Sequence, residues 1–141
     1  MLNGVLINID VNNTEEAVKF YTEAFGLHVG RRFDTQFIEL LGLPVPIYLL
    51  GNEEGTRPFP GARLGRTYLR HWSPIHLDFV VDSIEDAKAK ALAAGAKTEY
   101  DISEHSYGKL ATFSDPFGHG FCLIEFKGQG YGEIADFRKD K

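Results

Sequence analysis

Two stretches of the chain alternate apolar and polar residues and then change to a helical pattern. In residues 5–17, VLINIDVNNTEEA, the alternation of the first half predicts a strand with one buried face. The same pattern recurs 70 positions later in residues 75–87, IHLDFVVDSIEDA. Each strand precedes an amphipathic helix that ends near a glycine, Gly26 in the first copy and Gly95 in the second. The sequence therefore predicts a duplicated strand–helix unit.

Both helices are predicted to begin at capping boxes. Asn12 and Asp82 occupy matching places after the two strands, and Glu15 and Glu85 follow three residues later. A side-chain oxygen at the first place can accept hydrogen bonds from free backbone N–H groups, and the glutamate can return the bond. We therefore expect Asn12 and Asp82 to cap the helices.

Three further strand-like runs follow each helix, which makes each unit βαβββ. They are HVGRRFD, TQFIELLG and PIYLLG in the first unit, and KTEYDIS, KLATFS and GFCLIEF in the second. This order predicts an α+β fold in which two tandem modules form a curved mixed sheet around a cleft. The expected parts of this single domain, 1–141, are module one 3–51, linker 52–74, module two 75–127 and a C-terminal tail 128–141. Three tail residues could tether it to the domain: Tyr131, Ile134 and Phe137.

Composition excludes several classes of function. The chain has 141 residues and a formal net charge of −5, and its Lys and Arg residues form no cluster of the kind that binds phosphate backbones, so we expect no nucleic-acid partner. No run approaches the ~20 apolar residues of a membrane span, and the start lacks a secretory signal pattern, so we expect no membrane contact and a cytoplasmic location. The one cysteine, Cys122, excludes an internal disulfide and fits a small buried residue.

The predicted linker carries four arginines dispersed among glycines and prolines, namely Arg57, Arg63, Arg66 and Arg70. They are too scattered to form one basic helix face. Two interpretations remain open at this point. The arginines belong either to a solvated connection or to an anion-binding arm.

The tandem modules resemble the vicinal oxygen chelate superfamily, which includes glyoxalase I, extradiol dioxygenases, fosfomycin-modifying enzymes and bleomycin-binding resistance proteins. The resemblance rests on the strand–helix opening seen twice, with NNTEEAVKFYTEAFGL in the first module, and on DPFGHGFCLIEF closing the second. It covers nearly all of residues 3–127. It implies a glyoxalase-like fold, a small-molecule ligand in the cleft and, because members often dimerise, a homodimer.

The resemblance implies metal ligands in the second module only. Metal-dependent members can hold a divalent ion with a His on the first strand and a Glu at the end of the last strand, which transfers to His76 and Glu125. Leu6 and Gly51 stand at the matching places of the first module and cannot bind metal. His76 and Glu125 are thus candidate metal ligands and catalytic residues, with a third ligand unnamed. Two alternatives remain: a direct acid–base pair without metal, and a solvated His76.

Other residues are candidate ligand contacts. Small-molecule sites are largely apolar and aromatic, with a few polar groups. Strand alternation turns one set of residues toward the predicted cleft: Leu6, Asn8, Asp10, His76, Asp78 and Val80. Aromatic residues could form its apolar wall, with plain core packing as the alternative: Phe37, Trp72, Tyr107 and Phe113. We expect Asn8 and Asp78 to supply the polar contacts.

The function stays open between two classes at this stage. The first is a small-molecule-binding protein similar to glyoxalases and bleomycin-resistance proteins, with an incomplete metal site, that sequesters or acts on an organic ligand. The second is a divalent-metal-dependent lyase, isomerase or dioxygenase that uses His76 and Glu125, in which the ion polarises vicinal oxygens of the substrate. The absent first-module ligands favour the first class. An accessory domain with a silent cleft is a third possibility.

Overall fold

The computed structural model describes residues 1–135 and contains two four-stranded sheets with two helices. The first half contains β1 (Ile7–Val11), α1 (Thr14–Phe25), β2 (His28–Asp34), β3 (Phe37–Leu41) and β4 (Ile47–Gly51). The second half contains β5 (Leu77–Val80), α2 (Ile84–Ala94), β6 (Lys97–His105), β7 (Gly108–Ser114), β8 (Gly120–Phe126) and a short 3-10 helix (Gly130–Glu133). The predicted α+β fold of two βαβββ modules is confirmed.

The two sheets have the same topology. Their strand orders are β1-β4-β3-β2 and β5-β8-β7-β6, with the first and last strands of each module parallel. The register places Asn8 opposite Tyr48 and Asp78 opposite Cys122. Because residues paired across neighbouring strands share a face, each of these pairs lies on one face of its sheet.

The two helices lie between the two sheets. Phe25 of α1 stacks on Phe79 of β5 with ring centroids 4.0 Å apart, and Phe20 meets Phe121 of β8 edge-on at 6.4 Å. The same side of α1 packs against Leu49 of the first sheet in one continuous buried cluster. One core therefore serves both modules, and each sheet turns its other face outward. We call these faces the N-terminal outer face (the side of Asn8 and Tyr48) and the C-terminal outer face (the side of Asp78 and Cys122).

The shared cleft expected between the modules is not formed within one chain. Strand alternation correctly separated Asn8 and Asp78 from the helix-facing residues. The helices, however, fill the space between the sheets, so the two outer faces lie on opposite sides of the molecule. The prediction was wrong because alternation assigns residues to a face and carries no information about how two sheets are oriented.

Both helices are capped one residue later than predicted. The side chain of Asn13 accepts a hydrogen bond from the backbone N–H three residues on at 3.1 Å, and Ser83 does the same at 3.3 Å. Asn12 and Asp82 are therefore not the caps. β1 and β5 end at Val11 and Val80, but α1 and α2 begin only at Thr14 and Ile84, so Asn13 and Ser83 are the residues that directly precede the helices.

The helix ends are where the sequence placed them. Gly26 and Gly95 follow α1 and α2 with φ of 68° and 118°, a conformation that favours glycine. Each glycine donates its backbone N–H to a carbonyl in the last helical turn. Neither helix within residues 1–135 is long and apolar enough to cross a membrane.

Specific contacts order the connection between the modules. The backbone N–H of Gly55 donates to the carbonyl of Arg66 at 2.8 Å, and that of Arg66 donates to the carbonyl of Thr56 at 2.7 Å. The Tyr68 hydroxyl donates to the carbonyl of Asn52 at 2.5 Å. The connection is therefore a folded loop that is held against the end of the first module.

The start of the tail contacts the second module. The ring of Tyr131 lies 4.9 Å from that of Phe126 and 5.2 Å from that of Tyr107. Ile134 keeps 55% of its surface exposed. Phe137, the third residue expected to tether the tail, lies outside the described residues.

Candidate functional site

Three potential metal-binding side chains meet on the C-terminal outer face. His76 immediately precedes β5, Asp78 lies within it, and Cys122 is in register with Asp78 on β8. The His76 Nε2 atom is 3.1 Å from Asp78 Oδ1, and one ligand atom from each of the three residues lies within 4.8 Å of the others. We call these three residues the outer-face cluster. Among residues 1–135, no second group of three His, Cys, Asp or Glu side chains meets this spacing.

Two residues of the outer-face cluster, His76 and Cys122, line a cavity of about 270 Å³. The cavity is lined by Arg70, Trp72, Ser73, His76, Thr112, Gly120, Phe121 and Cys122. The His76 side chain is 55% exposed and that of Asp78 is 36% exposed, whereas Cys122 is buried. The cluster is thus fixed on the sheet side and accessible from solvent on the other.

The surroundings of Cys122 favour its protonated thiol form. Burial raises the pKa of the Cys122 thiol, and the charge of the nearby Asp78 carboxylate raises it further. Thr112 Oγ1 lies 3.5 Å from the sulfur and lowers the pKa, an effect smaller than that of burial but larger than that of the Asp78 charge. A raised pKa argues against a free thiolate nucleophile, because the thiolate is the reactive form. Cys122 is better suited to lose its proton to a cation bound beside it.

The donor set of the outer-face cluster fits a divalent ion. An imidazole nitrogen, a carboxylate oxygen and a sulfur suit borderline ions such as Zn²⁺, which takes all three ligand types. Three protein ligands also leave coordination positions for a ligand from solution, as in catalytic zinc sites. The residues present therefore fit a metal that also contacts a small molecule.

An ion pair forms one wall of the cavity. Arg70 donates to the two carboxylate oxygens of Glu99 through Nε at 2.7 Å and Nη2 at 3.0 Å. This bidentate bond lowers the pKa of Glu99 and holds the Arg70 guanidinium over Gly120, where an added side chain would collide with it. Glycine at this position lets Arg70 lie flat against β8.

Glu125 does not join His76. Its Oε1 atom accepts a hydrogen bond from the backbone N–H of Ile84 at 3.0 Å, at the start of α2. Glu125 shares the helix-facing side of β8 with Phe121 and Leu123, opposite the side of Cys122. The predicted pairing was wrong because Glu125 lies on the helix-facing side of β8, whereas His76 lies beside Asp78 on the outer face. Glu125 instead satisfies a free N–H at the positive end of a helix.

The structure separates the other predicted contact residues. Trp72 is 81% exposed and lines the cavity beside His76. Tyr107 stacks on His105 with centroids 5.0 Å apart, next to the tail. Phe113 is fully buried and stacks on Phe121 at 5.5 Å, so it belongs to the core and not to a ligand wall. Its strand position faces the helices, like that of Phe121.

Asn8 and Phe37 lie on the N-terminal outer face, away from the outer-face cluster. Asn8 is exposed beside Tyr48, and the ring of Phe37 packs at 4.4 Å from that of Phe33 and at 5.6 Å from that of Tyr48. This face therefore presents aromatic rings and an amide. No cysteine or histidine stands at the positions that match the outer-face cluster, where the sequence has Leu6, Asn8 and Tyr48.

A buried carboxylate organises the N-terminal outer face. Glu39 accepts from Arg31 through Nε at 3.0 Å and Nη2 at 2.6 Å, and from the Tyr48 hydroxyl at 2.9 Å. The hydrogen bonds from Arg31 lower the pKa of Glu39 to about 2. The Arg31 guanidinium also lies 5.1 Å from the centre of the Phe33 ring. This network is a satisfied ion pair beside exposed aromatic rings.

Sequence reasoning missed Cys122 and Glu39. Cys122 was assigned to the core because it stands in an apolar run, yet its register partner Asp78 was a polar residue of the outward set. Pairing the first and last strands of the module would have brought it to His76. Glu39 interrupts the apolar run FIELL, and a single acid at such a place signals a buried partner.

The fold is that of glyoxalase-like proteins. It is similar to the glyoxalase-related enzyme from Fulvimarina pelagi (17% identity, TM-score 0.69, 92% of this chain and 95% of that one). It is also similar to the glyoxalase/bleomycin resistance protein/dioxygenase family enzyme from Burkholderia phytofirmans PsJN (20% identity, TM-score 0.69, 86% of this chain and 97% of that one). A mutant of the genomically encoded fosfomycin resistance protein FosX from Listeria monocytogenes is similar too (15% identity, TM-score 0.70, 95% of this chain and 97% of that one).

Residues 6–124 match the family described as glyoxalase-like domain. This match covers most of the chain, so the protein belongs to the glyoxalase-like domain family of the vicinal oxygen chelate superfamily. No functionally curated protein matches the sequence. The structural neighbours, all at low identity, support the fold.

Proposed function

We propose that the protein binds a divalent metal ion at the outer-face cluster and uses it to hold a small organic ligand through oxygen atoms. The observation that carries the proposal is the meeting of His76, Asp78 and Cys122, whose ligand atoms lie within 4.8 Å of one another at the mouth of a cavity. These three replace the pair of His76 and Glu125 expected from the sequence.

Each residue of the site has a definite task in this proposal. His76 offers a ring nitrogen, Asp78 a carboxylate oxygen, and Cys122 a sulfur that loses its proton on binding. A bound divalent ion supplies Lewis-acid polarisation of ligand oxygens. Trp72 forms an apolar wall that orients the ligand, and the Arg70–Glu99 pair keeps that side of the cavity fixed.

One structural neighbour supports a metal with an oxygen-rich ligand. The mutant FosX from Listeria monocytogenes was crystallised in complex with Mn(II) and 1S,2S-dihydroxypropylphosphonic acid. By analogy, the ligand class proposed here is a small molecule with adjacent oxygen donors. Lyase, isomerase and dioxygenase chemistry all fit such a ligand, so the reaction is not assigned.

Metal content tests the proposal. The purified protein, loaded with Zn²⁺ and dialysed, should retain about one ion per outer-face cluster, and His76→Ala and Cys122→Ser should lose it. Glu125→Ala should retain the ion, because that carboxylate lies on the helix side. His28→Ala, an exposed histidine of β2, is the matched control. Equal metal content in His76→Ala and wild type would overturn the proposal, as would a wild type that retains none.

The second candidate is sequestration of a ligand without metal. It is favoured by the N-terminal outer face, where Leu6 and Tyr48 replace the metal ligands and Phe33 and Phe37 expose aromatic surface. It predicts that an aromatic ligand raises the melting temperature equally with and without a chelator, and that it is recovered unchanged. A stabilisation that disappears on chelation would favour the metal-dependent function.

We also propose a homodimer in which the N-terminal outer face of one copy meets the C-terminal outer face of another. Within one chain the two faces point apart, and both expose large apolar residues, including Leu6 at 61% and Val80 at 65%. Such a dimer would create the cleft that one chain lacks. Light scattering should give twice the mass of the chain, and Val80→Asp should return it to monomer; a monomeric wild type would contradict the dimer.

The remaining expectations are part of the same proposal. Residues 1–141 would act as one domain in the cytoplasm on a small molecule, without nucleic-acid or membrane partners. The acidic net charge of −5 supports the absence of a nucleic-acid partner. Cell fractionation would test the location.

A further inference from the structure

The folded connection between the modules borders a second, open cavity of about 520 Å³. We call it the linker cavity. Its walls are formed by linker residues, by Asp10 at the end of β1 and by His119 in the β7–β8 turn, and it shares no lining residue with the cavity at the outer-face cluster. The lining residues are Asp10, Pro58, Phe59, Ala62, Arg63, Leu64, Gly65, Arg66, Thr67, Tyr68, His71 and His119.

The linker cavity has an excess of positive charge. Two arginines, Arg63 and Arg66, line it with a single acid, Asp10. Both oxygens of that acid are already occupied, by the side-chain amide of Asn52 at 3.1 Å and by Arg66 Nε at 2.9 Å. A second carboxylate or a phosphate entering the cavity would therefore be the natural partner for the remaining cationic groups.

The two arginines have N–H groups to spare. Arg66 uses Nε for Asp10 and Nη1 for the Thr56 hydroxyl and the carbonyl of Arg57, which leaves Nη2 without a partner within residues 1–135. Arg63 makes no side-chain hydrogen bond or ion pair with any described residue. Guanidinium groups with free N–H bonds are suited to carboxylate and phosphate groups.

Two histidines of the linker cavity each have Nδ1 within hydrogen-bond distance of an oxygen atom. His71 Nδ1 lies 2.9 Å from the carbonyl of Leu69, and His119 Nδ1 lies 2.8 Å from Oδ2 of the buried Asp115. Because a carbonyl and a carboxylate only accept, each Nδ1 carries the hydrogen, and each Nε2 is left to meet a ligand. Each Nε2 can form a hydrogen bond with a hydroxyl group on the ligand.

We propose that the linker cavity binds a small organic anion. Arg63 and Arg66 bind its carboxylate or phosphate group, Phe59 and Leu64 contact its apolar part, and the histidines accept from its hydroxyl groups. Phe59 and Leu64 are 63% and 81% exposed, so apolar surface is available for such a contact. The frame is built before binding, since the Gly55–Arg66 and Tyr68–Asn52 bonds hold the loop in place. This site is independent of the proposed metal-dependent function.

Calorimetric titration with phenyl phosphate tests the proposal, with chelator present so that no metal contributes. Phenyl phosphate should bind saturably in the millimolar range or tighter, and phenol and inorganic phosphate alone should bind more weakly, because each has only one half of the ligand. Arg63→Gln should weaken binding about tenfold or more, consistent with loss of a charge-assisted hydrogen bond. Arg57→Gln, a linker arginine outside the cavity lining, is the matched control.

Three outcomes would overturn the proposal. They are no saturable binding of phenyl phosphate by wild type, equal weakening in Arg57→Gln and Arg63→Gln, and loss of binding in His76→Ala, which would place the anion at the outer-face cluster. Arg63→Lys should bind with intermediate affinity, since it keeps the charge but not the planar fork. Circular dichroism of each variant excludes unfolding as the cause.

Discussion

The N-terminal and C-terminal outer faces are built on the same backbone and carry different chemistry. Asn8 and Tyr48 of the first module occupy the register positions that Asp78 and Cys122 occupy in the second. On one face the buried carboxylate of Glu39 pairs with the exposed Arg31 beside aromatic rings, and on the other three potential metal ligands meet beside a cavity. Duplication therefore fixed the positions that face outward, and the side chains at those positions decide what each face can bind.

The largest expected effect is on metal affinity. His76→Leu gives the C-terminal outer face the residue that the first module has at this position, Leu6. We expect the Zn²⁺ affinity to fall by more than about 100-fold. Mutation of a residue that only hydrogen-bonds to a metal ligand already lowers metal affinity by about 10–100-fold, and His76 is proposed to bind the metal directly. Competition with a chromogenic chelator measures the change.

The reciprocal substitution tests whether a histidine at this position is enough for metal binding or whether the other two ligands are also needed. Leu6→His adds one imidazole to the N-terminal outer face, but Asn8 and Tyr48 there provide no carboxylate or thiol. We therefore expect this variant to bind the same amount of metal as wild type. A second bound ion per chain would show that one histidine is sufficient, and the contrast between the two faces would then not depend on the complete cluster.

The fold was largely readable from the sequence, and the site only in part. Alternation and the repeat identified both modules and the outward set of Asn8 and Asp78, since these depend on local periodicity. The relative orientation of the sheets depends on Phe20 and Phe25 of α1 packing on Phe79 and Phe121, a contact between distant segments that no local pattern encodes.

Glu125 and Cys122 show the same limit at the scale of one strand. A family pattern transferred without a register selected Glu125, and three residues on a strand both shift a side chain by roughly 10 Å and turn it to the other face. The register pair of Asp78 with Cys122 selects the face on which His76 lies. Strand pairing was therefore the missing information. Residue type alone favoured the carboxylate of Glu125 over the thiol of Cys122 as a metal ligand.

The next effect concerns the bond that joins the modules. The Tyr21 hydroxyl of α1 donates to Oδ2 of Asp115 in the second module at 2.7 Å, and both groups are buried. The matching position of α2 is Ala91, which has no hydroxyl group, so α2 cannot form the equivalent bond to the first module. Tyr21→Phe should lower the free energy of unfolding by about 1.5–3 kcal/mol, the range for a hydrogen bond to a charged group.

Urea denaturation measures this difference against a control. Tyr100→Phe removes the hydroxyl of a tyrosine that is 75% exposed and should change stability by less than about 0.5 kcal/mol. If the two variants lose the same stability, the bond between Tyr21 and Asp115 does not stabilise the contact between the modules.

A smaller effect is expected from the ion pair of the N-terminal outer face, and it depends on pH. The folded pKa of Glu39 is about 2, below the ordinary value of 4.5, so the stability that this carboxylate contributes is present above pH 4.5 and is lost as the pH falls toward 2. Glu39→Gln should lower the melting temperature at pH 7, and the gap to wild type should narrow between pH 4.5 and pH 2. Glu125→Gln, the isosteric change on the other module, is the comparison. A gap that does not change with pH would contradict the role of Glu39.

The smallest effect tests whether the two modules are equivalent where their sequences predict it. Asn13 and Ser83 cap α1 and α2 through the same bond to the third backbone N–H of the helix. Asn13→Ala and Ser83→Ala should each cost about 1 kcal/mol of unfolding free energy. Asn12→Ala and Asp82→Ala, the residues that the sequence pattern favoured, should cost less, since their side chains make no capping bond. A larger loss at Asn12 or Asp82 than at its neighbour would move the cap back to the sequence-predicted position. Unequal losses at Asn13 and Ser83 would show that the two modules differ in their helix starts as well as in their outer faces.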